Sequence, residues 1–100
     1  MEKGERPVIL IPKAEQAILN ICIYIAEQGY PETATRFYDR LYDFAETLGK
    51  FPDRYRVCRH TVLARHNLHC ATFEHNYIFI YRIAEQVTVV FNIIHAKRLR

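Results

Sequence analysis

Residues 68–94 read LHCATFEHNYIFIYRIAEQVTVVFNII, and the fold turns on how this stretch is divided. Three runs rich in apolar, β-branched and aromatic side chains, Leu68 to Phe73, Tyr77 to Ile83 and Val87 to Ile94, are separated by Glu74-His75-Asn76 and Ala84-Glu85-Gln86. Linkers this short cannot return the chain to the start of a parallel neighbour, so the runs form antiparallel strands. Strict alternation in the last run puts Val87, Val89, Phe91 and Ile93 on one face and Thr88, Val90, Asn92 and Ile94 on the other. Both faces are then largely apolar: one packs on the rest of the chain and the other wants a partner.

Upstream the period changes. Val8-Ile9-Leu10-Ile11 is a short β-branched run, and Pro12 restricts Ile11 to an extended backbone while fitting the first turn of a helix. From Lys13 to Gln28 the positions Ala14, Ala17, Ile18, Ile21, Cys22 and Ile25 recur every three or four residues, which makes one apolar stripe. Leu19, Ile23 and Tyr24 widen it, so this helix is expected to be covered on two sides. Gly29 ends it and Pro31 opens a second helix carrying Ala34, Phe37, Tyr38, Leu41 and Leu48, with Gly49 as its terminator. On its polar face Glu32 and Arg36 stand one turn apart and can pair weakly. Residues 51–67 keep neither period and read as a loop with at most a short turn of helix or strand. The order is β-α-α-β-β-β: an α+β fold, a small, mostly antiparallel sheet packed on a helical hairpin, as one domain over residues 1–100.

Half of the 100 residues are apolar and a quarter are charged, an ordinary globular composition. Neither Ile21 to Ala26 nor Tyr77 to Tyr81 approaches the ~20 apolar residues of a membrane-spanning helix. The start of the chain also lacks the pattern of a secretory signal. Cys22, Cys58 and Cys70 are odd in number and unpatterned, which fits thiols in a reducing compartment better than a disulfide framework. The expected location is the cytoplasm. Charge is segregated: residues 1–53 carry six basic against nine acidic side chains, whereas residues 54–100 carry eight against two, together with all five histidines. A basic half of this kind suits phosphate or an acidic protein surface, although many solvated edges are equally lopsided.

Four landmarks give the chain a family likeness: Ile11-Pro12-Lys13-Ala14 with Ile21-x-x-Tyr24-Ile25; Phe37-x-x-x-Leu41 running to Leu48-x-x-Phe51-Pro52; Asn76 to Ile83; and Val89 to Arg98. In their order and separations the chain resembles the RelE/ParE superfamily, the toxic halves of type II toxin–antitoxin pairs, which serve in plasmid stabilisation and growth inhibition. The resemblance implies a cognate antitoxin whose disordered segment wraps the toxin. It also implies one of two targets, DNA gyrase, inhibited by binding, or mRNA on the ribosome, cut by an endonuclease; a degenerate family member without toxicity is the third alternative. In the endonucleases an arginine usually follows the first aromatic of the third strand. Here Ile78 stands there, which favours the ParE-like, gyrase-directed branch.

RNA cleavage through the 2′-hydroxyl needs a proton acceptor, a proton donor and cations around the phosphate. The catalytic candidates, should the chain be an endonuclease, are His95, Arg65, Arg82, Lys97 and Arg98. His95 leads because an imidazole serves both proton roles near neutral pH; the rival role is a hydrogen-bonded cap on the strand end. The target-binding candidates are Arg54, Arg56, Arg59, Arg65 and His66. No metal site is expected, since His66-x-x-His69 with His60, His75 or Cys58-x-His60 matches no standard zinc spacing. With three glycines, at 4, 29 and 49, there is no phosphate-cradling loop, and no cofactor is implied.

Overall fold

A computed structural model describes residues 6–99. Strand β1 (Val8–Leu10) leads into α1 (Pro12–Glu27) and α2 (Pro31–Lys50); the short α3 (Thr61–Arg65) then precedes β2 (His69–Phe73), β3 (Tyr77–Ile83) and β4 (Thr88–His95). Single 3-10 turns follow α2, at Pro52–Arg54, and β4, at Ala96–Leu99. The strands form one sheet in the order β1-β4-β3-β2, with β1 parallel to β4 and the other pairs antiparallel. This is the expected α+β architecture, with α3 as a small addition inside the segment read as loop.

Local chemistry explains the joints. Ile11 is extended (φ −70°, ψ 161°) and Pro12 occupies the first turn of α1. Gly29 takes φ +101°, a conformation that side chains with a Cβ resist, and the hairpin turns there. The β2–β3 turn is less comfortable: Glu74 and His75 both have positive φ, 49° and 68°. Arg40 of α2 clasps the Glu74 carboxylate with two hydrogen bonds of 2.9 Å. The ion pair seen on the exposed face of α2 is therefore Arg40–Glu74, not Glu32–Arg36.

The hairpin covers one face of the sheet. Ala14, Ile18 and Cys22 from α1 and Ala34, Phe37, Leu41, Ala45 and Leu48 from α2 pack against Ala71, Phe73, Phe79, Tyr81, Val90 and Ile93. Full burial of one such aliphatic or aromatic side chain contributes about 1.5–3 kcal/mol. Two buried hydroxyls are matched: Tyr81 donates to the Pro52 carbonyl at 2.8 Å, and Thr88 donates to the Leu48 carbonyl at 3.3 Å. Burial pushes the Tyr81 phenol well above its usual range.

Several expectations are corrected. The pairing of β3 with β4 shifts between Ile80 and Tyr81: Ile80 faces Asn92 whereas Tyr81 faces Val90, so Phe91 is an extra residue in β4. That bulge breaks the alternation and lets Thr88 and Val90 share the core face with Ile93, which strict period two forbids. The second face is not bare at its centre, because Ile78 and Ile80 are only 9% and 7% exposed. The exposed apolar surface lies instead on α1, where Leu19, Ile23 and Tyr24 are 44%, 44% and 63% exposed rather than covered. Gly49 does not terminate α2 but lies inside it, buried. Cys58 and Cys70 are joined in a disulfide, leaving Cys22 as the free, buried thiol; the antiparallel bridge between Val57 and His69 brings the two together, a proximity that linear spacing conceals.

Gly49 allows a test in which two effects oppose. Alanine normally stabilises a helix interior by ~1 kcal/mol over glycine, but a Cβ here would stand 2.7 Å from Val8 Cγ2 and press on the Arg6 carbonyl. Gly49→Ala is expected to destabilise by about 1–3 kcal/mol, as overpacking does, read as a lower urea midpoint.

Candidate functional site

The structure distributes its chemistry over three surfaces. The first is a cleft of about 660 Å³ between α1 and the far half of β4, lined by Lys13, Asn20, Tyr24, Asn92, His95 and Arg98 among others. It exists because β1 pairs only with Thr88, Val89 and Val90. Beyond Val90, the edge of β4 that faces away from β3 has no strand beside it among the described residues. Ala96 donates its N–H to the Asn76 carbonyl at 2.7 Å, which sets the alternation of the β3–β4 ladder. Ile94 and Asn92 therefore bond toward β3, and the backbones of Ile93 and His95 point away from it into the cleft. The Ile93 N–H is held by the Asn92 side-chain oxygen at 2.9 Å, a local substitute for a missing strand.

His95 ends β4 with its ring edge-on to Tyr77, centroids 5.4 Å apart. Its Nδ1 accepts the Lys97 N–H at 3.1 Å, which is the strand-end cap weighed as its rival role. That bond assigns the other ring nitrogen as the N–H donor of the neutral form. Arg98 reaches the same cleft, and Lys97 is exposed beside it. Arg82 sits at the opposite end of β3, opposite Val89 and five residues from Tyr77, about 17 Å away along the strand. Arg65 closes α3, ahead of the outer strand β2. The five residues named for catalysis are thus split: His95, Lys97 and Arg98 at one end of the sheet, Arg82 and Arg65 away from them.

The second surface is the basic segment flanking β2. Arg54, Arg56, Arg59, Arg65 and His66 are all exposed. Arg54 lies over the Phe51 ring at 5.2 Å. The segment's first part is tied to the core by the Tyr81–Pro52 bond and by His69, whose Nδ1 pairs with the Tyr55 carbonyl at 2.8 Å and whose ring stacks on Tyr81. Since β2 and β1 are opposite edges of the sheet, these cations lie across the molecule from the α1–β4 cleft. Among the described residues no three His, Cys, Asp or Glu side chains gather as a metal site would require.

The third surface is part apolar and part polar. On the outer side of the hairpin, two shallow hollows of about 420 and 430 Å³ meet at Tyr38, one reaching Ile23 and Ala26, the other Leu19 and Tyr42. The Tyr38 and Tyr42 rings meet one helical turn apart, centroids 4.9 Å apart and planes tilted by 47°. Burial, then the Tyr38 hydroxyl, pushes the Tyr42 phenol up to about 12.

Sequence reasoning passed over Lys13, Asn20, Asn92 and the tyrosines of the cleft. Lys13 and Asn20 lie off the apolar stripe of α1, and only the crossing of α1 over the open half of β4 brings them to the cleft with His95.

Such a fold, a helical hairpin on a four-stranded sheet, is the architecture expected of the RelE/ParE type, and comparison with known proteins agrees. A family model described as "ParE toxin of type II toxin-antitoxin system, parDE" matches residues 8–100. The chain belongs to the ParE toxin family of type II toxin–antitoxin systems. Among solved structures, "Chromosomal ParDE TA system from P. aeruginosa" superposes with a TM-score of 0.78 at 12% identity, covering 93% of this chain and 98% of that one, a likeness of fold. No curated relative matches the sequence. No helix among the described residues is long and apolar enough to cross a membrane.

The Tyr38–Tyr42 pair predicts a pH dependence. The folded Tyr42 pKa lies above the unfolded value near 10, so its contribution to stability is complete below pH ~10 and lost as pH rises through about 12. Ultraviolet titration of Tyr38→Phe should show the Tyr42 phenol ionising at lower pH than in the parent chain.

Proposed function

We propose that this chain is a cytoplasmic toxin that acts by binding DNA gyrase and is neutralised by a cognate antitoxin. The observation that carries this reading is the separation of the candidate catalytic groups: His95 stands apart from Arg82 and Arg65, while Arg54, Arg56, Arg59, Arg65 and His66 form an exposed basic edge. A general acid or base works only within hydrogen-bond reach of its substrate, and a phosphate clamp only if its cations converge. An exposed cationic edge, by contrast, steers and orients association with an acidic surface or with DNA held by an enzyme. Ile78, where endonucleases of the superfamily usually carry an arginine, argues the same way.

The other two surfaces suit the antitoxin. The Ile93 carbonyl and the His95 backbone offer edge hydrogen bonds to an extended segment, and Lys13 and Arg98 favour acidic side chains on it. The hollows around Tyr38 suit an amphipathic helix presenting apolar residues. Neutralisation by such a segment gives a hetero-oligomer.

The purified chain should abolish gyrase supercoiling, and Arg54→Glu with Arg56→Glu and Arg59→Glu should weaken inhibition by on the order of 10-fold or more. Wild-type affinity should fall as salt rises. Full supercoiling at excess toxin would reject the reading. The cleft shared by His95 and Arg98 supports a second reading, a ribosome-dependent mRNA endonuclease. Primer extension on translating ribosomes decides it: we expect no cleavage, whereas cleavage lost in His95→Ala would establish the enzyme.

A further inference from the structure

We propose that Cys58 and Cys70 form a thiol–disulfide site whose redox state sets whether the basic segment 59–68 is ordered against the sheet. The bridge closes a chain loop whose ends are twelve residues apart, and Arg59, His60, Arg65 and His66 lie inside it. Little else holds that loop. At its base are the isolated pairing of Val57 with His69 and two backbone bonds, Cys58 N–H to the Leu68 carbonyl at 2.8 Å and Cys70 N–H to the Arg56 carbonyl at 3.3 Å. Within it, α3 is five residues long and contributes no buried side chain. A helix of that length does not persist alone, since nucleation costs more than one turn of hydrogen bonds returns. Val62 points into solvent, and Asn67 turns the chain at φ +58°. The crosslink, by removing open conformations of the loop, is what keeps α3 in place.

The core does not depend on it in this way. Cys58 and Cys70 lie outside the apolar cluster between hairpin and sheet, and Tyr81, Phe79, Leu41 and Ile18 pack without them. Reduction therefore loosens the segment and leaves the fold. The step balances with a dithiol as co-reactant. Its thiolate attacks Cys70 Sγ, the less buried sulfur, and Cys58 leaves as thiolate and takes up a proton. The second thiol of the reductant resolves the mixed disulfide, so two electrons and two protons pass to the cysteines and the reductant becomes a cyclic disulfide. A thiol–disulfide oxidant such as oxidised glutathione reverses the exchange.

The test is amide hydrogen exchange on the full chain, oxidised, reduced with dithiothreitol, and as the Cys58→Ser, Cys70→Ser double variant. The amides of Ala64, His66, Asn67 and Leu68 should exchange at least ~10-fold faster without the bridge, while those of Phe79, Tyr81 and Val90 keep their protection. Equal exchange of the loop amides in both states would overturn the proposal, as would loss of protection throughout the sheet. If the double variant does not fold, reduced wild-type chain supplies the comparison. Alkylation after denaturation checks the bond: chain equilibrated with oxidised glutathione should take one label, at Cys22, and three labels would overturn the site. Any effect on target binding rests on the gyrase reading. Failure of both redox forms to inhibit gyrase would count against that reading and leave the exchange result to decide this one.

Discussion

Proline 12 has no backbone N–H to donate, and this missing donor governs one whole side of the molecule. With proline after Ile11, the first strand can pair with β4 only from Val8 to Leu10, closed by the Ile11 N–H on the Val90 carbonyl at 3.2 Å. The chain must then leave the sheet as a helix. The helix crosses beside the rest of β4, covering part of its length without satisfying its edge. The cleft, the outward backbones of Ile93 and His95, and the proximity of Lys13 to Arg98 all follow from that early departure.

At the opposite edge the chain meets a different constraint. After α2 it runs through a segment too polar to be buried and too short of apolar residues to pack, so it is held by point attachments. The Tyr81 hydroxyl takes the Pro52 carbonyl, His69 takes the Tyr55 carbonyl, and the cysteines join Cys58 to Cys70. Cations avoid the cost of burial on such an exposed rim: Arg54, Arg56, Arg59 and Arg65 are exposed along it, and Lys97 and Arg98 are exposed at the end of β4. The hairpin turn at Glu74 and His75 is also held from outside, by Arg40. As an exposed pair that clasp contributes only ~0.2–1 kcal/mol, so it orients the turn more than it stabilises the fold.

Much of the architecture was legible because it depends on local rules. The proline and glycine stops around α1, the helical spacing of Ala14, Ile18, Leu41 and Leu48, and the short linkers between β2, β3 and β4 act within a few residues. The bulge at Phe91 was not legible, because an extra residue in one strand is registered only against its neighbour. The exposure of Leu19 and Ile23 was not legible either: a helix pattern states which side chains are apolar, not how many sides the rest of the chain can cover. Of the candidate site, residue types were readable and convergence was not. His95 and Arg98 do share a cleft, Arg82 lies at the other end of its strand, and the cysteines expected to remain thiols meet across a bridge between Val57 and His69.

What the linear order of residues determined here is the set of elements, their sequence along the chain, the hairpin of helices and the concentration of cations in the second half. Each follows from backbone sterics, side-chain period or charge counted along the chain. Only tertiary structure decided which edge of the sheet stays open, which cations stand together and which cysteines touch, because these depend on distances between residues far apart in sequence, and such distances arise only when strands choose their register and a helix chooses where to cross.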